Sequence, residues 1–149
     1  MKILMVCLGN ICRSPLAEGI MRHLAQQNGL DWEIDSAGTG DWHVGDPPDH
    51  RAIKVGHRHG VDIAHLRGRQ FTADDFDHFD AIFTMDLNNY RDVIRKARNE
   101  ADRNKVAMLR DNQQPVPDPW FDDALFEPVY DMILHSCEQQ LQQLLQHKG

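Results

Sequence analysis

The sequence predicts an α/β fold in which a four-stranded parallel sheet carries helices on both faces. Short apolar runs without polar alternation recur four times, as expected for strands that are buried on both faces. Segments with helical spacing of apolar residues separate these runs, and this alternation favours a parallel sheet. The 149 residues suffice for one domain, which we expect to span residues 1–149.

Four segments have the composition of buried strands. The first, Lys2 to Cys7, is an apolar run that ends in a cysteine. The other three strands are predicted at residues 32–37, 81–85 and 106–109.

The first helix is predicted to begin directly after the first strand. Ser14 is of the type preferred at an N-cap, and Pro15 of the type preferred at the first helical position. Leu16 and Ile20 follow at helical spacing, and Gly29 is a typical helix terminator. The chain between the strand and the helix is therefore a short loop.

The middle helices are predicted from their capping residues. The run Asp46-Pro47-Pro48 favours a helix that closes at Gly60, and Thr72 to Phe76 resembles a short capped helix. Asp86 is the expected cap of a polar helix that runs to about Asn99.

The last helix is the clearest element of the sequence. Its apolar residues recur at three- and four-residue steps from Phe126 to Leu145. Cys137 falls on this stripe, so we expect it in the core. We see no internal repeat or linker.

Composition excludes several function classes. Sixteen basic against 23 acidic residues give a formal charge of −7, which disfavours general binding to nucleic acid or to a membrane surface. No segment has the roughly 20 apolar residues of a membrane span. Three cysteines do not form a disulfide framework, so we expect a reducing, cytoplasmic environment.

The loop after the first strand has the residues of an anion cradle. Cys7 ends the strand, Gly9 permits a tight turn, and Arg13 lies near the helix start. Backbone N–H groups and the helix dipole there favour an anion, and the same field favours a thiolate at Cys7. The Arg13 guanidinium can bind two phosphate oxygens in fork geometry. The Ser14 hydroxyl can cap the helix and donate toward the Cys7 sulfur.

A carboxyl group follows the fourth strand, in the run Pro117-Asp118-Pro119-Trp120. It is expected at the same edge of the sheet as the cradle, where Asp118 can protonate a leaving oxygen. On the residues alone, a plain turn with Asp118 as a local cap is the alternative.

Four segments resemble the low-molecular-weight protein tyrosine phosphatases: CLGNICRSP, DSAGTGDWHVG, FDAIFTMD and the late DPW. The resemblance covers nearly the whole chain. It implies hydrolysis of phosphotyrosine in proteins without metal or other cofactor. In that scheme Cys7 attacks phosphorus, Arg13 and the loop amides hold the oxygens, and Asp118 protonates the phenolate.

The resemblance also implies supporting residues. Those of the phosphate loop are Leu8, Gly9, Asn10, Ile11, Cys12 and Ser14. Those that brace the loop by hydrogen bonds are Asn10, Ser36 and His65. Leu8, Trp42 and Trp120 match the walls of the substrate pocket. Asp86 matches an acid at the rim and is equally a helix cap.

Two departures from the family pattern are informative. Trp120 and Phe121 replace tyrosines that can be phosphorylated in eukaryotic members, so regulation by that route is not expected. Related phosphoarginine phosphatases carry threonine where this chain has Ile11, which favours phosphotyrosine.

The remaining cysteine in the loop, Cys12, has two interpretations. It can form a reversible disulfide with Cys7 under peroxide, or it is a small buried residue beneath the loop. The nine histidines, including His50, His57 and His59, do not have the pattern of a metal site, and we predict none.

Two other functions remain open on the sequence. A thiol-dependent arsenate reductase shares this fold and loop but needs a relay of additional cysteines. A non-catalytic phosphate-binding or redox-sensing module would not need Asp118. The expected partner is a tyrosine-phosphorylated protein, with a bacterial tyrosine kinase as one candidate. The oligomeric state is open.

Overall fold

A computed structural model describes residues 1–148. Its four strands are all parallel, in the order β2-β1-β3-β4. Their bounds are Lys2–Cys7 for β1, Glu33–Gly38 for β2, Ala81–Thr84 for β3 and Val106–Met108 for β4. The predicted sheet is confirmed.

Six helices connect and flank these strands. They are α1 at Arg13–Gln27, α2 at His50–Arg58, α3 at Asp75–His78, α4 at Leu87–Arg95, α5 at Glu100–Asn104 and α6 at Phe126–Lys148. Two short 3₁₀ turns lie at Asp111–Gln113 and Asp123–Leu125. No helix within residues 1–148 has the length and apolar character that a membrane span requires.

Helices cover both faces of the sheet, as the unbroken apolar character of β1 predicts. Ile3 and Met5 belong to the larger core, which packs against α1, α2 and α6. Leu4 and Val6 point to the opposite face and pack with Phe76 of α3 and other residues of a smaller core. The central strand is therefore buried on both sides.

Several predicted helix boundaries are wrong for identifiable reasons. Helix α2 begins at His50 rather than after Asp46, because Asp49 is the N-cap and accepts a bond from the Arg51 N–H. The helix expected to reach Asn99 ends at Arg95. Asn99 instead caps the separate helix α5, since its side chain accepts from the Asp102 N–H.

The predicted cap of α1 is also wrong. The helix begins at Arg13 with Cys12 at the N-cap position, and no side chain caps it. Ser14 lies in the first turn with its hydroxyl directed to the Cys7 sulfur, so only the second of its two predicted contacts forms. The glycine terminator is confirmed, because Gly29 has a φ of 65° just past the helix end.

The fold brings the carboxyl ends of the strands to one edge. Cys7 ends β1, and Asp86 follows β3 by two residues. The chain after β4 returns to this edge, where the Val116 N–H donates to the Met85 carbonyl at 2.7 Å. The predicted candidate residues from three strands thus meet at the same place.

Candidate active site

The backbone carbonyl groups of the loop between β1 and α1 accept hydrogen bonds from neighbouring segments, and these bonds hold the loop in place. The Cys7 and Leu8 carbonyls accept from the N–H groups of Thr39 and Gly40, and the Ile11 carbonyl accepts from Asp49. A side chain at Gly38 would bring a Cβ to 2.9 Å from the Leu8 carbonyl oxygen, so this approach requires glycine.

The amide groups of the same loop are mostly unused. The Asn10 N–H donates to Cys7 Sγ at 3.3 Å. Within residues 1–148, the backbone N–H groups of Leu8, Gly9, Ile11, Cys12 and Arg13 have no protein acceptor. A loop with bonded carbonyls and free amides at a helix N-terminus is suited to bind an anion.

Cys7 Sγ lies at the base of this loop. The residue is 3% exposed, and its sulfur is 3.0 Å from the Ser14 hydroxyl. Together with the Asn10 N–H, this hydroxyl can stabilise negative charge on sulfur. Cys7 also lines the pocket described below.

Asn10 holds the loop in shape from a left-handed backbone conformation, with φ of 59°. Its amide group donates to Ser14 at 2.8 Å and to Ser36 at 3.0 Å. Its carbonyl oxygen accepts from the Arg69 N–H at 3.0 Å. Asn10 and the two serines are all buried, so these bonds act in a water-excluded environment.

The bracing network ends on Glu18, which the sequence analysis missed. Its carboxylate accepts from the Ser36 hydroxyl at 2.7 Å and from Arg22 at 2.6 Å. Burial raises the pKa of Glu18 above its usual value, although these two bonds oppose the shift. No sequence signal separated Glu18 from an exposed carboxylate on α1.

His65 is not part of this network, and the prediction that it braces the loop is wrong. Its side chain is exposed and lies beside Gly19 and His23, in a separate depression. The Arg69 N–H takes the place on Asn10 that a bracing side chain would occupy. Arg69 is itself held by Asp35 and Asp75, at 3.1 and 3.0 Å.

Arg13 is buried and has carboxylates on two sides. Its Nη1 donates to Asp86 Oδ2 at 2.7 Å and to the Val116 carbonyl at 3.0 Å, while Nη2 is 3.8 Å from Asp118 Oδ2. Burial by itself would lower the pKa of Arg13. The negative charge at Cys7 and the bond to Asp86 hold that pKa above its ordinary value.

Asp86 fills both of its predicted roles. Its Oδ1 accepts from the Asn89 N–H at 2.8 Å and caps α4, while its Oδ2 binds Arg13. One carboxylate thus fixes the guanidinium and starts a helix.

Asp118 lies on a loop that is more exposed than the phosphate loop. Its side chain is 41% exposed, and Oδ1 accepts from the Trp120 N–H at 3.1 Å. The loop is tied to α2 by Arg51, a contact that the sequence analysis missed. Arg51 donates to the Trp120 carbonyl at 3.0 Å and to Asp123 at 2.6 Å, and its guanidinium lies 5.4 Å from the Trp120 ring centre.

These residues surround a pocket of about 240 Å³. The buried residues Cys7, Cys12 and Arg13 line its base, and the exposed residues Leu8, Trp42 and Trp120, which the sequence suggested as substrate walls, line its mouth. His43 and Phe121 also line it and were not predicted as pocket residues. A deep slot with apolar walls and a cationic base can hold an aryl group above a bound anion.

The other two cysteines are shielded thiols. Cys12 lines the pocket beside Cys7, and burial, with the charges of Asp49 and Cys7, raises its pKa strongly. Cys137 is fully buried on α6, where its sulfur is 4.0 Å from the Ala17 carbonyl. Its burial also raises its pKa. The core placement predicted for Cys137 is confirmed.

Comparison with known proteins identifies this arrangement. A family model described as low molecular weight phosphotyrosine protein phosphatase matches residues 2–148. The chain belongs to this family. The predicted resemblance is confirmed, and the chain is a hydrolase of the phosphatase class.

Individual phosphatases support the assignment. The low molecular weight phosphotyrosine protein phosphatase of Sus scrofa is 43% identical over 143 residues, which are 91% of this chain and 90% of the pig protein. A crystal structure of a protein tyrosine phosphatase from Entamoeba histolytica covers 100% of this chain and 99% of its own, with a TM-score of 0.92 and 35% identity. The structure of a Drosophila arginine phosphatase covers 97% of this chain and 98% of its own, with a TM-score of 0.89 and 37% identity.

Membership of the phosphatase family argues against a thiol-dependent arsenate reductase, which was the main alternative left open by the sequence. An arsenate reductase of this fold would need a thiol relay near the cradle, and Cys137 is buried in the core, away from the pocket lining.

Proposed function

We propose that this phosphatase hydrolyses phosphotyrosine in proteins with Cys7 as nucleophile, Arg13 as anion-binding group and Asp118 as general acid. The observation that supports this most strongly is the environment of Cys7. Its sulfur lies at the base of an aromatic-walled pocket, beside a buried guanidinium and five unbonded amides. Loop amides and a guanidinium are the groups that a phosphoryl dianion requires.

In the first half-reaction the Cys7 thiolate attacks phosphorus. The S–P bond forms while the bond from phosphorus to the phenolic oxygen breaks. Protonated Asp118 gives its proton to that oxygen, so a neutral phenol leaves. The Ser14 hydroxyl and the Asn10 N–H hold the sulfur, at 3.0 and 3.3 Å.

In the second half-reaction water replaces the thiolate on phosphorus. The Asp118 carboxylate takes a proton from water as its oxygen attacks, and the S–P bond breaks. Inorganic phosphate leaves, and Cys7 returns to the thiolate. The acid of the first step is the base of the second, so one carboxyl group on the rim serves both.

The decisive experiment measures hydrolysis of p-nitrophenyl phosphate with a chelator present. We expect turnover by the wild type, with Cys7→Ser lowering kcat on the order of 10⁴-fold or more and Asp118→Ala lowering it about 10²-fold. Cys137→Ser is the matched control, since it removes a thiol outside the pocket and should retain turnover. An inert wild type that still binds phosphate would support a binding module instead.

The choice between phosphotyrosine and phosphoarginine depends on Ile11. This side chain is 8% exposed and lines the pocket. An apolar group there disfavours the polar guanidine of phosphoarginine, which would lose hydrogen bonds to water without replacement. We expect phosphotyrosine peptides to be hydrolysed faster than phosphoarginine peptides, and Ile11→Thr to narrow the difference. Faster hydrolysis of phosphoarginine by the wild type would overturn the substrate assignment.

Cys12 is proposed as the redox partner of Cys7. Peroxide would oxidise the Cys7 thiolate to a sulfenic acid, and the Cys12 thiol would then displace water to form a disulfide. Because burial keeps Cys12 protonated, this second step should be slow. Mass spectrometry after mild peroxide should find a Cys7–Cys12 crosslink, with activity restored by added thiol. Irreversible loss without that crosslink would contradict the proposal.

The setting of the reaction is also proposed. Three free thiols and an acidic composition support a cytoplasmic phosphatase that acts on tyrosine-phosphorylated proteins. A bacterial tyrosine kinase that carries phosphotyrosine is one candidate substrate. Kinetics on such a phosphorylated kinase would test this directly.

A further inference from the structure

We propose that the rim of the pocket selects phosphotyrosines whose neighbours in the polypeptide are basic or apolar, and that it rejects acidic neighbours. The inference rests on the proposed function, because it concerns the polypeptide on either side of the phosphotyrosine. The evidence for it is the set of side chains around the pocket mouth, which are separate from the groups that perform the chemistry.

The rim is the main exposed apolar surface among residues 1–148. Six large apolar side chains are exposed among residues 1–148, and five of them lie at the rim, on the phosphate loop or on the segments 41–46 and 118–123 beside the pocket mouth. These five are Leu8, Trp42, Val44, Trp120 and Phe121. A free aryl phosphate would cover the slot between Trp42 and Trp120 but would leave Phe121, 92% exposed, in water. A polypeptide with apolar neighbours can cover it.

The same two segments carry four aspartates besides Asp118. They are Asp41 and Asp46 around Trp42, and Asp122 and Asp123 after Phe121, all of them exposed. Asp41 and Asp122 have no cationic partner among the ion pairs of residues 1–148. The Asp122 carboxylate only accepts from the Ala124 N–H, at 3.0 Å.

The cations that line the pocket or bond to its Trp120 wall are already paired with carboxylates. His43 lies 3.1 Å from Asp46, and Arg51 is bound by both Asp49 and Asp123. Arg13 is buried at the base and contacts Asp86. Among residues 1–148, Arg67 lies next to the rim without a carboxylate partner, but its guanidinium is held by the Ala64 and Leu66 carbonyls. The carboxylates of Asp41 and Asp122 have no cationic partner and remain for a basic neighbour.

The physical consequence is a charge preference that acts outside the slot. A basic neighbour gains attraction to Asp41 and Asp122, while an acidic neighbour is repelled by them and by the net charge of −7. Each exposed ion pair of this kind is weak. Two of them predict that kcat/KM for a peptide with basic neighbours exceeds that for one with acidic neighbours by about threefold to tenfold. Screening by salt should reduce it.

The test compares three phosphotyrosine peptides that differ only in the flanking residues, which are arginine, glutamine or glutamate. At low salt we expect kcat/KM to fall in that order, with arginine over glutamate by about threefold to tenfold. The ratio should shrink in 0.5 M salt, about the concentration at which screening dominates. Equal rates, or faster hydrolysis of the glutamate peptide, would overturn the inference.

Two double variants separate the rim from the total charge. Asp41→Asn/Asp122→Asn should lower the arginine-to-glutamate ratio at least about twofold. The control Asp31→Asn/Asp80→Asn removes the same charge before β2 and β3, at the opposite edge of the sheet, and should keep the ratio of the wild type. Each ratio is taken within one protein, so a change in overall turnover does not affect it. An unchanged ratio in the first variant would contradict the assignment to the rim.

The proposed function has its own readout in the same experiment. If neither p-nitrophenyl phosphate nor any peptide is hydrolysed, the proposed function fails. If all three peptides are hydrolysed at one rate, the function stands and the charge preference alone fails.

Discussion

The two loops that meet at Arg13 are held in different ways. The phosphate loop is buried, and its side chains bond to one another through Asn10, Ser14 and Ser36. The loop of Asp118 and Trp120 is exposed, and its described side-chain ties run through Arg51 and Arg13. The difference indicates a preformed anion cradle beside a wall that can adjust to its substrate.

The loss of rate on replacing the acid Asp118 should depend on the leaving group. The wall with Asp118 acts on the aryl oxygen, whereas the cradle acts on the phosphate. For Asp118→Asn we expect a loss of about 10²-fold or more in the rate of phosphoenzyme formation from phenyl phosphate. The loss should be much smaller for 2,4-dinitrophenyl phosphate, whose phenolate leaves without a proton. Single-turnover kinetics measures this step, with Asp111→Asn as the control. An equal loss on both substrates would show that Asp118 has no role as an acid.

Breaking the cradle should cost stability as well as activity. Asn10→Ala removes three hydrogen bonds, two of them buried, and leaves an alanine at φ of 59° without their support. We expect a loss of about 3 kcal/mol in the free energy of unfolding, and about 2 kcal/mol for Asn10→Gly, which tolerates this φ.

Asn112→Ala is the matched control for the backbone conformation. Asn112 has the same φ of 59° but is exposed, on the turn at Asp111–Gln113. Its replacement should cost about 1 kcal/mol in urea unfolding. If Asn10→Ala costs no more than this control, the bonds of Asn10 do not hold the cradle.

The wall should respond to Arg51, which acts as a positioning residue through Trp120. Arg51→Lys keeps the charge but loses the fork that joins Asp49, Asp123 and the Trp120 carbonyl. We expect about a tenfold loss on phenyl phosphate and little loss on 2,4-dinitrophenyl phosphate, since the acid is displaced while the cradle is intact. The control Arg58→Lys lies on the same helix and pairs with Glu127. A uniform loss on both substrates would indicate general destabilisation.

The smallest expected effect concerns the pH dependence of the cradle's stability. The pKa of Glu18 is raised in the folded protein, so folding favours its protonated form. The stabilisation is complete below the usual carboxyl pKa of 4.5 and is lost as the pH rises above it. We expect Glu18→Gln to gain stability relative to the wild type as the pH rises through this range in urea unfolding. A constant difference would contradict the shift.

Much of the fold was predictable from the apolar patterns of β1 and α6. The unbroken apolar run of β1 indicates a strand buried on both faces, and the apolar stripe of α6 indicates a helix packed on a core. The meeting of Cys7, Arg13 and Asp118 followed from the rule that parallel strands end at one edge. Glu18, His43 and Arg51 were not predictable, since their roles come from contacts with residues distant in sequence. The wrong prediction for His65 also comes from a contact between residues distant in sequence, because the Arg69 N–H donates to the Asn10 side-chain oxygen instead. The split between α4 and α5 was missed because the cap at Asn99 was interpreted as a helix end.

The most direct test of the account is to trap the phosphoenzyme. Wild type mixed rapidly with an aryl phosphate and quenched in acid should carry one phosphoryl group, and mass spectrometry of its peptides should place that group on Cys7. With 2,4-dinitrophenyl phosphate, whose phenolate leaves without a proton, Asp118→Asn should accumulate more of it, because water attack is slowed while formation is not. Cys7→Ser should carry none on its peptide. Turnover by the wild type without any phosphorylated Cys7, or with the phosphoryl group on another residue, would contradict the account.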